Sequence, residues 1–266
     1  MKKNILTIGC SNLLGMHHAF RQVFQHTQSN AEESKTDLDV EIEKRTFTTI
    51  LEDDYARYTN LAVAGAGNGL IKWRLFDFLE NERPDYVYLQ FSGLTRRDFN
   101  FDLGNRKSFD VDSLLGATSE KHMYVTGGNQ KHLYMLGGNH VHVENPTSFE
   151  DYLKNLAYNF YDDNSNNWHS LQDIFCAISI LDKLMITYNW TIYYDPINPP
   201  TEVTKMEGVI DKWPEFINMS NKLPSPLNHT MDSGVDVSDG VHFTYDSFVK
   251  YLEDHKSKIH LNFDHK

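Results

Sequence analysis

Short runs of apolar residues alternate along this chain with amphipathic stretches, and that alternation constrains its fold more than any other feature. Ile5-Leu6-Thr7-Ile8 is a β-branched run ending in Gly9, the pattern of a strand buried on both faces. Leu13, Met16, Phe20, Val23 and Phe24 then recur at helical spacing and predict a helix over 13–28. Val40 to Phe47 mixes apolar and charged residues in the manner of a strand near a sheet edge. A small-residue turn, Gly65 to Gly69, leads into Ile71, Leu75, Phe78 and Leu79, which share one face of a helix over 69–82. Pro84 separates that helix from Tyr86-Val87-Tyr88-Leu89-Gln90-Phe91, a second buried strand. Residues 149–160 and 168–188 read as helices and 190–194 as a strand. Tyr245, Phe248, Val249 and Leu252 mark a closing helix, with Thr244 as its N-cap. Strand–helix–strand order of this kind calls for an α/β fold with right-handed crossovers between parallel strands.

From Phe99 to Pro146 the periodicity fails, and Gly, Asn, Lys and His dominate, with Gly-Gly-Asn at 127–129 and 137–139. A patternless stretch of that length commonly forms a lid or binding loop. The expectation is one domain over 1–266 carrying an irregular insertion at about 99–146; the 266-residue length is near the upper end for a single core.

Charge removes several functions. The net charge of −12 opposes approach to a phosphate backbone, and the densest basic spot, Arg96-Arg97, is followed at once by Asp98. No nucleic-acid partner is expected. Two cysteines, Cys10 and Cys176, are too few for a disulfide framework and point to a reducing compartment. The opening MKKNILTIGC imitates a lipoprotein signal, but its apolar part, Ile5 to Ile8, is shorter than the ~7–15 residues of a signal core. No run reaches the ~18 apolar residues of a membrane span. A cytoplasmic protein without a membrane partner is expected.

Three short segments fall where an open α/β sheet places its ligands, beyond the carboxyl ends of strands. Gly9-Cys10-Ser11-Asn12 puts Ser11 on a strand-to-helix turn, where a hydroxyl is exposed and the helix dipole favours a developing oxyanion. A serine there also serves simply as an N-cap. Asp239-Gly240-Val241-His242 places a carboxylate three residues before an imidazole, an arrangement that can fix the tautomer of a general base, although Asp-x-x-His is common by chance. Asn60 to Gly65 ends in a glycine whose N–H can approach a substrate oxygen, or which merely serves a tight turn. The order Ser, Asp, His suits a serine hydrolase, but the elbow G-x-S-x-G is absent, since position 13 is Leu.

Taken together, the three segments resemble the blocks of the SGNH/GDSL hydrolases, from residue 4 to about 256 and excluding 99–146. The resemblance implies a three-layer α/β/α sandwich with a flavodoxin-like parallel sheet of about five strands. It implies Ser11 as nucleophile, His242 as base and then acid, and Asp239 as its orienter. It also implies an oxyanion hole from the N–H groups of Ser11 and Gly65. Two positions depart from the family pattern: Cys10 stands where Asp is usual, and the strand 86–91 runs into Ser92-Gly93-Leu94-Thr95-Arg96, without the third-block Asn. Asn68, Ser92 or Thr95 could replace that donor, and Asn68 is preferred; Ser92 and Arg96 are candidate substrate contacts.

The expected activity is hydrolysis of a small acyl ester, such as an O-acetyl group on a sugar or another polar compound, with a small-molecule or carbohydrate ester as partner. The rivals are an inactive binding module on the same scaffold and an O-acyltransferase using the same residues. No cofactor or metal is expected: His140, His142 and Glu144 have ligand-like spacing, with nothing beyond nearby His132 to complete a site. The turn at 65–69 lacks both G-x-G-x-x-G spacing and a Walker lysine. Oligomeric state is open.

Overall fold

The computed structural model describes residues 2–10, 13, 16–25, 49–52, 54–62, 66–94, 97–102, 123–125, 132–137, 163–193, 217–233 and 244–261. In chain order the elements are β1 (Lys3–Gly9), α1 (Met16–Gln25), β2 (Thr49–Glu52), β3 (Ala56–Asn60), α2 (Asn68–Asn81), β4 (Tyr86–Phe91), β5 (Arg97–Asp102), β6 (Met123–Val125), β7 (His132–Gly137), α3 (Asp163–Lys183), β8 (Thr187–Ile192), α4 (Pro226–Ser233) and α5 (Tyr245–His255).

The main sheet has the order β2-β3-β1-β4-β8. Strands β3, β1, β4 and β8 are parallel, and β2 pairs antiparallel with β3 at one edge. Both faces are covered, which is why β1 and β4 read as largely apolar runs. On one face Leu6, Ile8, Val87, Leu89, Phe91 and Trp190 meet Leu70, Ile71 and Leu75 of α2 and Leu171, Ile174, Ile178 and Leu181 of α3. On the other, Ile5, Tyr58, Tyr86 and Tyr88 meet Phe20 and Val23 of α1 and Phe248 and Leu252 of α5. The result is the expected α/β/α layering. After β3 the chain crosses to the other side of β1 to form β4, so the winding reverses between β1 and β4. Such a reversal opens a crevice beyond the carboxyl ends of the two strands.

Several expectations shift in register. The helix predicted over 13–28 is observed at Met16–Gln25, and the one over 69–82 at Asn68–Asn81. The helix predicted over 168–188 runs over Asp163–Lys183, because its polar first turns carry no apolar period and a tight closure stops it early. There Met185 adopts φ 54°, Ile186 N–H donates to Leu181 O at 3.0 Å, and Met185 N–H to Asp182 O at 3.0 Å. That pair of bonds is a Schellman ending. The expected strand at 190–194 accordingly starts earlier, at Thr187. Strand β3, Ala-Arg-Tyr-Thr-Asn, has no apolar run to announce it, yet it lies buried beside β1. The expected strand over 40–47 and helix over 149–160 lie outside the described residues.

The stretch expected to be irregular contains a second sheet, antiparallel in the order β5-β7-β6. Its sequence cues are weak but physical. Phe99 and Phe101 alternate with Asp98, Asn100 and Asp102, and Gly-Gly-Asn at 127–129 lies between β6 and β7, a composition that suits a hairpin connection. The surrounding Gly, Asn and His residues obscure that alternation.

Candidate active site

The carboxyl ends of β1, β3 and β4 lie at one edge of the sheet. Gly9 ends β1 opposite Gln90 of β4. A Cβ on Gly9 would stand 2.6 Å from Gln90 O and 2.6 Å from Leu13 Cδ1, so only glycine lets the chain turn down toward α1 this closely. Leu13 N–H then donates to Cys10 O at 3.0 Å. Cys10 itself is buried and its Sγ lies 3.7 Å from Gln90 Oε1.

Asn60 locks the β3 exit to that turn. Its Nδ2 donates to Leu13 O at 2.9 Å, and its Oδ1 accepts Ala62 N–H at 2.9 Å. The side chain is 3% exposed, so these bonds form away from competing water. Gly65 follows three residues after Ala62 and precedes Ala66, which is buried in the core.

Asn68 opens α2 and performs the same service for β4. Its Oδ1 accepts Ser92 N–H at 2.8 Å, and its Nδ2 lies 3.5 Å from Ser92 O. The carboxamide thus reads both backbone groups of Ser92. Ser92 is buried, and its Oγ has no hydrogen-bond partner among the described residues. Ser170 Oγ of α3 donates to Leu94 O at 2.7 Å, anchoring the next residues. On the opposite face Thr244 caps α5, accepting Ser247 N–H at 3.3 Å, two residues after His242.

Of the residues singled out from sequence, Asn68 and Ser92 are brought together, and Asn60 and Cys10 hold the neighbouring exits. Ser11, Gly65, Thr95, Arg96, Asp239 and His242 lie outside the described residues, as do His140, His142 and Glu144. Among the described residues no group of three His, Cys, Asp or Glu could hold a metal ion. Cys10, Asn60, Asn68, Gln90 and Ser92, at these strand exits and the start of α2, are all buried, and none is a carboxylate, lysine, arginine or histidine. Sequence reading missed Gln90, whose Nε2 is buried without a partner among the described residues. The one available signal was a carboxamide inside the otherwise apolar run 86–91.

Charged chemistry lies on α4 and α5, whose ends bracket 234–243. His229 Nε2 is 2.9 Å from Asp254 Oδ2, and Lys250 Nζ is 3.1 Å from the same oxygen. The two partners hold the Asp254 carboxyl below its ordinary range. Burial pushes the His255 imidazole down, and the nearby His229 and Lys258 act in the same direction. Tyr86 and Tyr88 are held neutral by burial.

No helix among the described residues is long and apolar enough to cross a membrane. No protein-family model matches the chain, and no curated protein does. Among solved structures, two catalytic mutants of Axe2, an acetylxylan esterase from Geobacillus stearothermophilus, are similar to this chain. Each is 10% identical with a TM-score of 0.39, and the alignments cover 99% of this chain and 97% of theirs.

Proposed function

We propose that this protein is a serine esterase that removes a small acyl group from a polar alcohol such as a sugar. The observation that carries the reading is the hydrogen bond from Leu13 N–H to Cys10 O, at the carboxyl end of β1 beside the reversal of sheet winding. Ser11 follows Cys10 directly in the chain, and ligands of such sheets bind beyond the carboxyl ends of the strands.

In this reading Ser11 Oγ attacks the acyl carbonyl carbon while its proton passes to His242, which Asp239 orients. The N–H groups of Ser11 and Gly65 receive the oxyanion, with Asn68 holding the Ser92 backbone at the adjoining edge. Collapse of the tetrahedral adduct breaks the ester C–O bond, and His242 returns the proton to the leaving alcohol. Water then attacks the acyl-serine, His242 takes its proton and passes it to Ser11, and a carboxylic acid leaves. Arg96 is available to a polar or anionic part of the alcohol.

Ser11→Ala is expected to abolish p-nitrophenyl acetate hydrolysis and covalent labelling by a fluorophosphonate, with an unchanged circular dichroism spectrum. Retained hydrolysis in that variant refutes the nucleophile. A folded wild type that neither turns over nor labels supports a binding module instead, and acyl transfer to added sugars in place of hydrolysis identifies a transferase.

A further inference from the structure

Two imidazoles meet where α4 packs on α5. The His229 and His255 ring centroids stand 5.2 Å apart, and both rings lie edge-on against Tyr251, at 5.3 Å and 4.6 Å. Each ring leaves one nitrogen idle. His229 Nε2 is 2.9 Å from Asp254 Oδ2, while His229 Nδ1 is buried without a hydrogen-bond partner among the described residues. His255 Nε2 is likewise buried without one. A further hold on this contact is Tyr251 OH, which donates to Pro224 O at 2.8 Å, just before α4 begins.

A neutral imidazole presents one N–H and one lone pair, whereas the cation presents two N–H donors and needs an acceptor for each. His229 suits the neutral form: Nε2–H donates to the Asp254 carboxylate, and the lone pair of Nδ1 is the idle atom. Protonating either ring turns its idle nitrogen into a buried cationic donor with nothing to receive it, and burial penalises a charged group more than a neutral one. Protonating both sets two cations 5.2 Å apart. The surrounding charges act mostly in the same direction. From α5, Lys250 Nζ lies 3.1 Å from the Asp254 oxygen that His229 uses, and Lys258, in the single turn Lys256–Lys258 that follows, opposes a charge on His255. Asp254 favours that charge, but it is half exposed to water and already shared between His229 and Lys250. Burial keeps Tyr251 a neutral donor, and Lys256 is turned to Val23 O at 2.8 Å.

We propose that α4 and α5 form an acid-sensitive catch, closed while His229 and His255 are neutral and released at α4 when His255 takes up a proton. The release belongs to α4 because α5 is fastened independently. Phe248 and Leu252 of α5 are buried in the layer shared with α1, and Tyr245 OH donates to Gln22 Oε1 at 2.6 Å, whereas α4 brings the partly buried Leu227 to that layer. The open form binds the proton that the closed form refuses. Closure is therefore full above pH ~6.5 and weakens as pH falls from there toward the native pKa. The catch does not depend on the reading of Ser11 as nucleophile.

The test is amide hydrogen exchange on the full chain, read by mass spectrometry at pH 7 and pH 5 with exposure times scaled for the intrinsic rate. In wild type the α4 amides are expected to lose protection by about tenfold at pH 5, while those of α2 and α3 keep theirs. His255→Phe, which fills the space with a ring that does not titrate, should hold α4 protection level at both pH values. A second reading needs no variant: the His255 ring protons, followed by NMR, should titrate with a midpoint below that of an exposed histidine, over the range in which α4 loses protection. Unchanged α4 protection between pH 7 and pH 5, a loss shared equally by α2 and α3, or the same loss in His255→Phe overturns the inference. So does a His255 midpoint at or above pH ~6.5.

Discussion

At the scale of single residues, polar groups do two opposed jobs in this protein. Asn60 and Asn68 each bind backbone with both polar atoms of the carboxamide, whereas Gln90 Nε2 has no hydrogen-bond partner among the described residues. His255 shows how burial makes a residue sensitive to pH. Its imidazole packs edge-on against Tyr251 at 4.6 Å, and burial holds its pKa below the ordinary value. The unfolded chain binds a proton near pH ~6.5 that the folded chain refuses, so stability is full above that pH and declines as pH falls from it toward the native pKa. His255→Phe should keep the ring contact and remove this dependence, flattening the melting temperature between about pH 7 and 5; an unchanged slope counts against it. Asp254 has its pKa lowered, so its contribution is present above about pH 3.9 and disappears only at lower pH, in a separate window. Gly9 and the Thr244 cap were readable in the sequence, because a glycine after a strand and a threonine before a helical period are local signals. The partners of Gln90 and Asn68 were not, because nothing in the neighbouring residues says what stands across the sheet.

At the scale of elements, apolar period located α2, β4 and α5 well and misjudged others for identifiable reasons. Strand β3 was silent because Arg57, Thr59 and Asn60 find partners or burial only in the folded protein: Arg57 Nη1 meets Glu82 Oε2 at 2.8 Å, and Asn60 meets Leu13. The end of α3 is set by backbone closure at Met185, an exposed residue with positive φ, where an L side chain costs about 1–2 kcal/mol. Met185→Gly should therefore stabilise the protein by about 0.5–1 kcal/mol, after the added entropy of the unfolded glycine is counted. Urea unfolding monitored by circular dichroism checks the sign; a loss of stability would show that the Met185 side chain contributes more than its exposure suggests. Strands β5, β6 and β7 were missed because a hairpin in a Gly- and Asn-rich setting depends on pairing with distant residues, and pairing leaves little trace in composition.

At the scale of the molecule, one sheet carries two cores, and both must form for β1 and β4 to be buried on both faces. Leu75→Ala, in the α2–α3 layer, and Leu252→Ala, in the α1–α5 layer, should each cost about 2–5 kcal/mol in a single shared urea transition. Two separated transitions would mean that the layers melt independently. The sequence by itself determined the α/β class, the buried character of β1 and β4, and the chain positions of a serine, a glycine and an Asp-x-x-His beyond element ends. These follow from hydrophobic period and turn chemistry, which act between residues close in the chain. Only the tertiary structure decided the strand order, the reversal of winding beside β1, and the meeting of Cys10 with Gln90 across a separation of 80 residues. Such contacts are selected by the burial of whole faces against one another, and no local pattern encodes which buried group will lie opposite which.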